Sequence, residues 1–419
     1  MKKWYVVNAY SARNAGDAAI TLGTARVAAD ADGARVHIAS RYSHQDVEFY
    51  RRHGISCGPP PITFPVRGPR ESNGTGRVVL FLVSLVVSVL LAATYRASPK
   101  LAGFFLRIAP TSGLREMLNA DRVVIAGGGY LYSSRRRLNL SLFHCLVCML
   151  LPVLAGKATL MMPQSVGPAS HFDRILIRLV LRKVGGITVR DLVSLKFVHD
   201  ELRISDVSIC PDAAFALGET ESQPACVASK PTVGVVAMDW SWSRSARECA
   251  MARYVSHMAM LVEQLNRKGY AVVLLASSRV GEQRQDDLEI GQQVAEQARR
   301  QGAADVMVVE TLTVDEFIGA LREVHVVVGT RLHACILAIA HGKAAVAIGY
   351  QPKTEGTYRL LSLGQYAHDV ETFDPARISA QVEELIAEPS RTSAFEIAGA
   401  HARADVLAYY RKRCGQRSH

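Results

Sequence analysis

Neither an internal repeat nor a low-complexity tract occurs in these 419 residues, which excludes solenoid arrays and fibrous or linker-like chains. The eight cysteines (Cys57, Cys145, Cys148, Cys210, Cys226, Cys249, Cys335 and Cys414) have no framework spacing. A disulfide-stapled scaffold is therefore excluded, and reduced cytoplasmic thiols are the natural reading. Cys145 and Cys148 form a CxxC, but inside the apolar stretch LFHCLVCMLLPVL and without a second ligand pair, so both read as small core residues. No cluster of His, Cys or carboxylates has metal-ligand spacing, and no metal is expected. A basic face interleaved with aromatics is also missing, which argues against nucleic acid as a partner. The apolar stretch after Lys2 and Lys3 is far too short for a signal-peptide core, so secretion is not expected.

What is present describes a globular chain, 49% hydrophobic and 21% charged, long enough for two domains each with its own core. The net charge of +11 fits anionic partners such as phosphorylated metabolites or an anionic membrane face. That charge is spread out, its densest pieces being Arg135–Arg137, Arg299–Arg300 and Arg411–Arg413. One segment stands apart. Val78 to Tyr95 is 18 residues without a charge, bracketed by Arg67, Arg70 and Arg77 before it and by Arg96 and Lys100 after it. As a helix it spans about 27 Å against a hydrocarbon core of about 30 Å. Three placements are open: a helix docked on the protein, in-plane attachment to a membrane, or a crossing. A crossing meets a topological obstacle, because the motifs around Asn14 and Gly127 read as parts of one sheet. Flanking arginines suit an anionic cytoplasmic leaflet.

Apolar runs alternate with helical patterns along the rest of the chain. KWYVVNAY, RVHIAS, RVVIAGGGYLY, ATLMMPQSVGP and GGITVRD read as strands, with a helix from about Ala18, and VSICPDAAF closes the first half. TVGVVAM, AVVLLAS, VMVVE, HVVVGT and AAVAIGY form a second series, with helices over about 246–268, 283–301 and 314–323 and one from Arg331. This alternation predicts an α/β fold of parallel sheets with right-handed crossovers, two Rossmann-like domains facing a cleft. The expected division is an N-terminal domain over 1–218 with an apolar insert at about 58–118, a linker at 219–231, a C-terminal domain over 232–390, and a C-terminal helix with basic tail over 391–419.

In such sheets ligands bind at the carboxyl ends of the strands, and the unusual polar clusters fall there. Asn14, Gly16 and Asp17 follow the first strand. Gly127, Gly128 and Gly129 follow RVVIA and permit close backbone approach. Gln164, Ser165 and Gly167 follow TLMM, Arg190 and Asp191 follow GITV, and Asp212 follows SIC. The most informative string is VGTRLHA at 328–334, with Lys353 twenty residues after the histidine. There an apolar strand ends at Gly329 and runs into a helix start whose free N–H groups and dipole favour an anion. Arg331, His333 and Lys353 add two cations and a proton carrier. His341, two turns further along, reads as structural.

The order NAGDAAI, VVIAGGGYLY, MMPQSVGP, ITVRDLVS, CPDAAF and GTRLHACILAIAHGKAAVAIGYQPKTEG resembles the polysaccharide pyruvyl transferases over about residues 8–356, with 58–118 as an unmatched insert. The resemblance implies a fold similar to GT-B glycosyltransferases, with the site between two domains. It implies transfer of the pyruvyl group from phosphoenolpyruvate to two hydroxyls of a glycan or lipid-linked sugar, giving a pyruvate ketal and phosphate. No cofactor is implied beyond phosphoenolpyruvate as co-substrate. The family's phosphoenolpyruvate-binding arginine falls on Arg190, its RLH residues on Arg331, Leu332 and His333, and its lysine on Lys353. On this reading His333 is the proton carrier, Arg190 holds the carboxylate as a planar fork, and Lys353 with the N–H groups after Thr330 holds the phosphate. Arg331 is shared between carboxylate and phosphate. Asp17 and Asp191 are candidates to orient or deprotonate the acceptor hydroxyl, and Asn14, Gly128, Gly129 and Gln164 are expected to line the substrate site. The expected place of work is the cytoplasm, at the inner face of the cytoplasmic membrane if 78–95 makes peripheral contact. Two rival readings are a GT-B glycosyltransferase using a sugar nucleotide and a non-catalytic membrane-associated assembly component.

Overall fold

The computed structural model describes residues 1–62, 74–108, 112–133, 139–218, 230–241, 250–280 and 285–415. Most of the expected linker at 219–231, the basic run Arg135–Arg137, and Cys226 and Cys249 lie outside the described residues. In the first half the strands are β1 (Lys3–Ala9), β2 (Arg35–Ser40), β3 (Ser56–Gly58), β4 (Arg122–Ile125), β5 (Gly128–Leu131), β6 (Thr159–Met161), β7 (Gln164–Val166), β8 (Ile187–Val189) and β9 (Val207–Ile209). In the second half they are β10 (Thr232–Val236), β11 (Ala271–Leu275), a small hairpin of β12 (Arg279–Val280) and β13 (Gln285–Asp286), β14 (Val306–Val309), β15 (Val326–Gly329), β16 (Ala344–Gly349) and β17 (Ala367–Asp369).

Among the described residues all pairings between these strands outside that hairpin are parallel. The second half has the order β14-β11-β10-β15-β16-β17, a doubly wound sheet whose topological switch lies between β10 and β15. Central strands covered on both faces need apolar residues throughout, and every residue of β15 and β16 is buried. This is why the apolar runs in the sequence marked them.

The first half is built on the same plan with a bend. RVVIAGGGYLY reads as a strand ending in its three glycines and ATLMMPQSVGP as one strand, whereas in the structure a second short strand follows the break in each. β4 pairs with β6 within a five-stranded sheet of order β3-β2-β1-β4-β6, while β5 pairs with β7 in a second sheet of order β5-β7-β8-β9. Val123 faces Thr159 before the break and Gly128 faces Gln164 after it, at the same offset, so two neighbouring strands bend together. Pro163 lacks an N–H for the ladder, and Gly128 takes a φ of 136°, a conformation open to glycine and strained for other residues.

The halves share one apolar core. It runs from β1 and the helix Ala15–Asp32 through the turn Ala213–Leu217 to the helix Leu332–Ala340 and the sheet of the second half. The long helix Pro389–Gly415 then returns to the first half. There the Tyr410 hydroxyl donates to the Met161 carbonyl at 2.8 Å, Tyr409 and Thr188 hydroxyls meet at 2.9 Å, and Arg411 pairs with Asp30.

The uncharged segment 78–95 lies in a helix over Gly74–Ala97, followed by a second over Pro99–Ile108. Phe81, Ser88, Leu91 and Ala92 are buried against the first half, and the Ser88 hydroxyl donates to the Pro61 carbonyl at 3.1 Å. Among the described residues no helix is long and apolar enough to cross a membrane.

If the returning helix clasps the halves, Tyr410→Ala should destabilise the protein by about 3–5 kcal/mol through the cavity it opens, and Tyr410→Phe by about 1 kcal/mol through the lost hydrogen bond. Urea unfolding measures both; equal losses for the two variants would show that the ring contributes nothing.

Candidate functional site

The carboxyl ends of β1, β4, β8, β15 and β16 converge on a cavity of about 250 Å³ between the halves. Its lining includes Asn14, Gly16, Asp17, Gly127, Gly129 and Arg190 from the first half and Arg331, Leu332, His333, Tyr350 and Lys353 from the second.

Arg190 directly follows β8 and is 1% exposed. Its Nε donates to the Ser165 hydroxyl at 2.7 Å, and its Nη1 donates to Asp212 and, at 3.1 Å, to His333 Nε2. Its Nη2 has no hydrogen-bond partner among the described residues. Burial alone would raise the Asp212 carboxyl, but the Arg190 charge and His333 hold it well below the usual carboxylate range. A guanidinium can only donate, so His333 Nε2 accepts in the resting state and the imidazole is neutral. Burial agrees, lowering the imidazole below its ordinary value against the pull of Asp212. Asp212 Oδ2 stands 3.5 Å from the same ring nitrogen, a ready partner once the ring is protonated.

His333 reaches this position across the cleft because Gly16 has no side chain. A Cβ there would lie 2.7 Å from the Cβ, Cγ and Nδ1 atoms of His333. Gly129 does the same for the cations. A Cβ on it would lie 3.3 Å from Arg190 Nη2 and 3.4 Å from Lys353 Nζ, so two positive groups from opposite halves face one backbone position. Lys353 Nζ also stands 5.8 Å from the centroid of the Tyr350 ring. Burial, with Arg190 beside it, lowers the ammonium to about 8. Burial pushes the Asp17 carboxyl up to about 6, although Arg190, Lys353 and Arg331 pull it down. A carboxyl raised and an ammonium lowered, to about 6 and about 8, thus share one small cavity.

Several residues have narrower parts than the sequence suggested. Arg331 is clamped by Asp287, Nε at 3.0 Å from each carboxylate oxygen and Nη2 at 2.7 Å from Oδ1, which leaves less of its fork for a ligand than sharing between two anions requires. Asp191 is fully buried, caps the helix Leu192–Asp200 through Ser194 N at 2.7 Å and accepts from the Ser165 hydroxyl at 2.7 Å, so its oxygens are occupied. Asn14 lines the cavity while capping the helix Ala15–Asp32. Gln164 and Gly128 stand at the strand bend behind the cavity wall, and Gln164 Nε2 donates to the Ala126 carbonyl and to the Tyr130 hydroxyl. The helix expected from Arg331 begins at Leu332, with Arg331 as its N-cap.

Two carboxylates of the site were not singled out from sequence. Asp212 was noted only as a strand-end residue; the proline before it and the strand before that were the available signal. Asp287 had none, since its partner lies 44 positions further on. Asn8, Tyr10, Arg41, Tyr130, Ser141 and Cys145 form the cavity's outer wall on the first half. Cys145 is buried as expected, yet Arg41 Nη2 donates to its Sγ at 2.8 Å.

An anion of constant charge should report both titrations. Sulfate should bind more weakly as pH rises through about 6, where Asp17 ionises, and again through about 8, where Lys353 loses its proton. Calorimetric titration should show the upper step vanish in Lys353→Met and the lower one in Asp17→Asn; a flat profile in the unaltered protein would contradict this electrostatic picture.

The chain is similar to known proteins over most of its length. Residues 14–352 match the family model described as polysaccharide pyruvyl transferase. The amylovoran biosynthesis protein AmsJ of Erwinia amylovora is 25% identical over 323 residues, covering 73% of this chain and 76% of AmsJ. Among solved structures, a putative UDP-N-acetylglucosamine 2-epimerase from Listeria monocytogenes superposes with a TM-score of 0.56 at 9% identity, covering 99% of this chain and 94% of its own. The UDP-GlcNAc 2-epimerase from Neisseria meningitidis gives 0.55 at 11%, covering 99% and 98%. A glycosyltransferase from Rickettsia africae gives 0.54 at 11%, covering 100% and 99%. These likenesses concern the fold, two Rossmann-like domains in a GT-B-like arrangement.

Proposed function

The chain belongs to the polysaccharide pyruvyl transferase family, and on that premise we propose that it transfers the pyruvyl group of phosphoenolpyruvate to two hydroxyls of a glycan or lipid-linked sugar, forming a cyclic ketal. The observation that carries the donor assignment is the meeting of Arg190 and Lys353 over Gly129, with Arg190 Nη2 buried and unpartnered. Phosphoenolpyruvate carries a carboxylate and a phosphate close together, and two cations facing one point from opposite walls suit it. Arg190 holds the carboxylate through Nη2 while Asp212 fixes the rest of its fork. Lys353 and the N–H groups at the start of the helix Leu332–Ala340 hold the phosphate.

The bound anion raises the proton affinity of His333, which is neutral at rest, and the ring takes up a proton. His333 delivers that proton to C3 of the enol as the first sugar hydroxyl adds to C2 and gives up its own proton to Asp17. The C2–O bond to phosphate then breaks, with oxocarbenium character at C2. The second hydroxyl closes on C2, its proton leaving with the phosphate. One hydroxyl proton replaces that spent on C3, so the products are the ketal and inorganic phosphate with no redox change. Asp17, brought to about 6 by burial, is the base. The reading puts the work in the cytoplasm, with peripheral contact through 78–95 at the inner face of the membrane, where lipid-linked acceptors are presented.

The test is phosphate release from phosphoenolpyruvate with a galactoside or glucoside acceptor. His333→Gln should lower kcat by at least about 100-fold, the usual worth of a general acid, with little change in KM for phosphoenolpyruvate. Arg190→Lys should raise that KM. Turnover that requires a sugar nucleotide would overturn the donor assignment in favour of glycosyl transfer, and product formed undiminished by His333→Ala would favour a non-catalytic role.

A further inference from the structure

We propose that the helices Gly74–Ala97 and Pro99–Ile108 form a two-helix platform that lies flat in the surface of an anionic lipid bilayer, embedding one apolar face without crossing. The proposal rests on the peripheral contact included in the functional reading, and adds the second helix, the depth and the lipid charge.

On the longer helix the exposed apolar residues are Val79, Leu82, Val83, Val86 and Leu90, the last 62% exposed. Their spacing of three, four and seven residues makes one stripe along a helix. The stripe is opposite to the docked side, where Phe81, Ser88, Leu91 and Ala92 are buried. The shorter helix repeats the pattern with Leu101, Phe104 and Phe105, Phe104 being 59% exposed, while Ala102 and Leu106 are buried. The two phenyl rings meet edge to face with centroids 5.6 Å apart. Each stripe alone is ordinary, but exposed apolar faces on two adjoining helices form a patch of the kind that marks an interaction surface.

Charge decides the occupant. Residues 72–115 contain Arg77, Arg96, Lys100, Arg107 and Arg115 and no carboxylate. Arg96, Lys100 and Arg107 are exposed. Cations flanking an apolar face fit lipid phosphates above acyl chains. A second copy docking by two-fold symmetry would set the same cations against themselves. The docked side also rules against a crossing, since a helix holding Ser88 on the Pro61 carbonyl cannot leave its domain without exposing that contact.

The platform is joined to the cavity. Phe81 stands 6.3 Å from the ring of His144, whose Nε2 donates to the Ile62 carbonyl at 3.1 Å. His144 lies on the helix Leu140–Leu154, and Ser141 and Cys145 of that helix line the cavity wall. A bilayer on the platform therefore sets the cavity at a fixed height above the lipid headgroups, as a lipid-linked acceptor requires.

Full-length protein should co-sediment with phosphatidylglycerol–phosphatidylcholine vesicles, bind pure phosphatidylcholine vesicles at least about tenfold more weakly, and be released by alkaline carbonate. Phe104→Asp/Phe105→Asp should lower binding to the anionic vesicles by at least about tenfold, while the thermal midpoint and phosphate release with a soluble glycoside acceptor stay unchanged. Resistance to carbonate would replace the platform with a crossing. Unchanged vesicle binding in the double variant, with a dimer turned monomeric in light scattering, would assign the patch to a second copy instead. Because the activity readout uses a soluble acceptor, failure of the unaltered protein to bind anionic vesicles with turnover intact overturns only the platform, and absence of turnover with vesicle binding intact overturns only the functional reading.

Discussion

The contact on which the rest depends is the buried Arg190–Asp212 pair, with His333 held against it from the other half. Two charges removed from water are tolerated only when their remaining donors and acceptors are satisfied. Asp212 meets that condition through Arg190 and the Ala214 N–H at 2.8 Å. Arg190 meets it at Nε and Nη1 and leaves Nη2 open. A buried guanidinium with one unsatisfied edge is a costly arrangement in an empty site and a prepared one in an occupied site. An anion that meets this edge relieves the cost, which is how binding energy is directed toward a carboxylate or phosphate.

The same economy explains the proton affinities. Asp17, His333 and Lys353 are each shifted toward neutrality by burial, and the surrounding charges oppose or add to that shift according to sign. Without ligand and near neutral pH, His333 is the uncharged member, while Asp17 at about 6 is mostly ionised and Lys353 at about 8 mostly protonated. A multiply charged anion favours protonated neighbours and so draws a proton onto His333, Lys353 already carrying its own. Binding and protonation of the carrier become one event.

Much of this was legible in the sequence because of what parallel sheets demand. Strands such as β15 and β16, covered on both faces, must be apolar throughout, and polar residues then stand out where they end. Arg190, His333 and Lys353 stood out in that way, and the cavity brings all three together. The strand bend was hidden because Gln164, Ser165 and the three glycines read as residues after a strand end, and only Pro163 and Gly128 hint that a second strand follows a change of direction. The salt-bridge partners were hidden for a different reason. Asp287 reaches Arg331 and Asp212 reaches His333 through tertiary packing, which leaves no periodic trace along the chain. The segment 78–95 was read correctly as apolar, but which of its faces is docked depends on Pro61 and the helix Leu140–Leu154, elements it does not touch in sequence.

The central claim is that the two halves hold one donor molecule between them. A crystal structure with phosphoenolpyruvate or a stable analogue bound tests it most directly. The account predicts a carboxylate on Arg190 Nη2, a phosphate on Lys353 Nζ beside the start of the helix Leu332–Ala340, and His333 within hydrogen-bond reach of the ligand. A ligand held wholly by the second half, with Arg190 Nη2 still unpartnered, would contradict it.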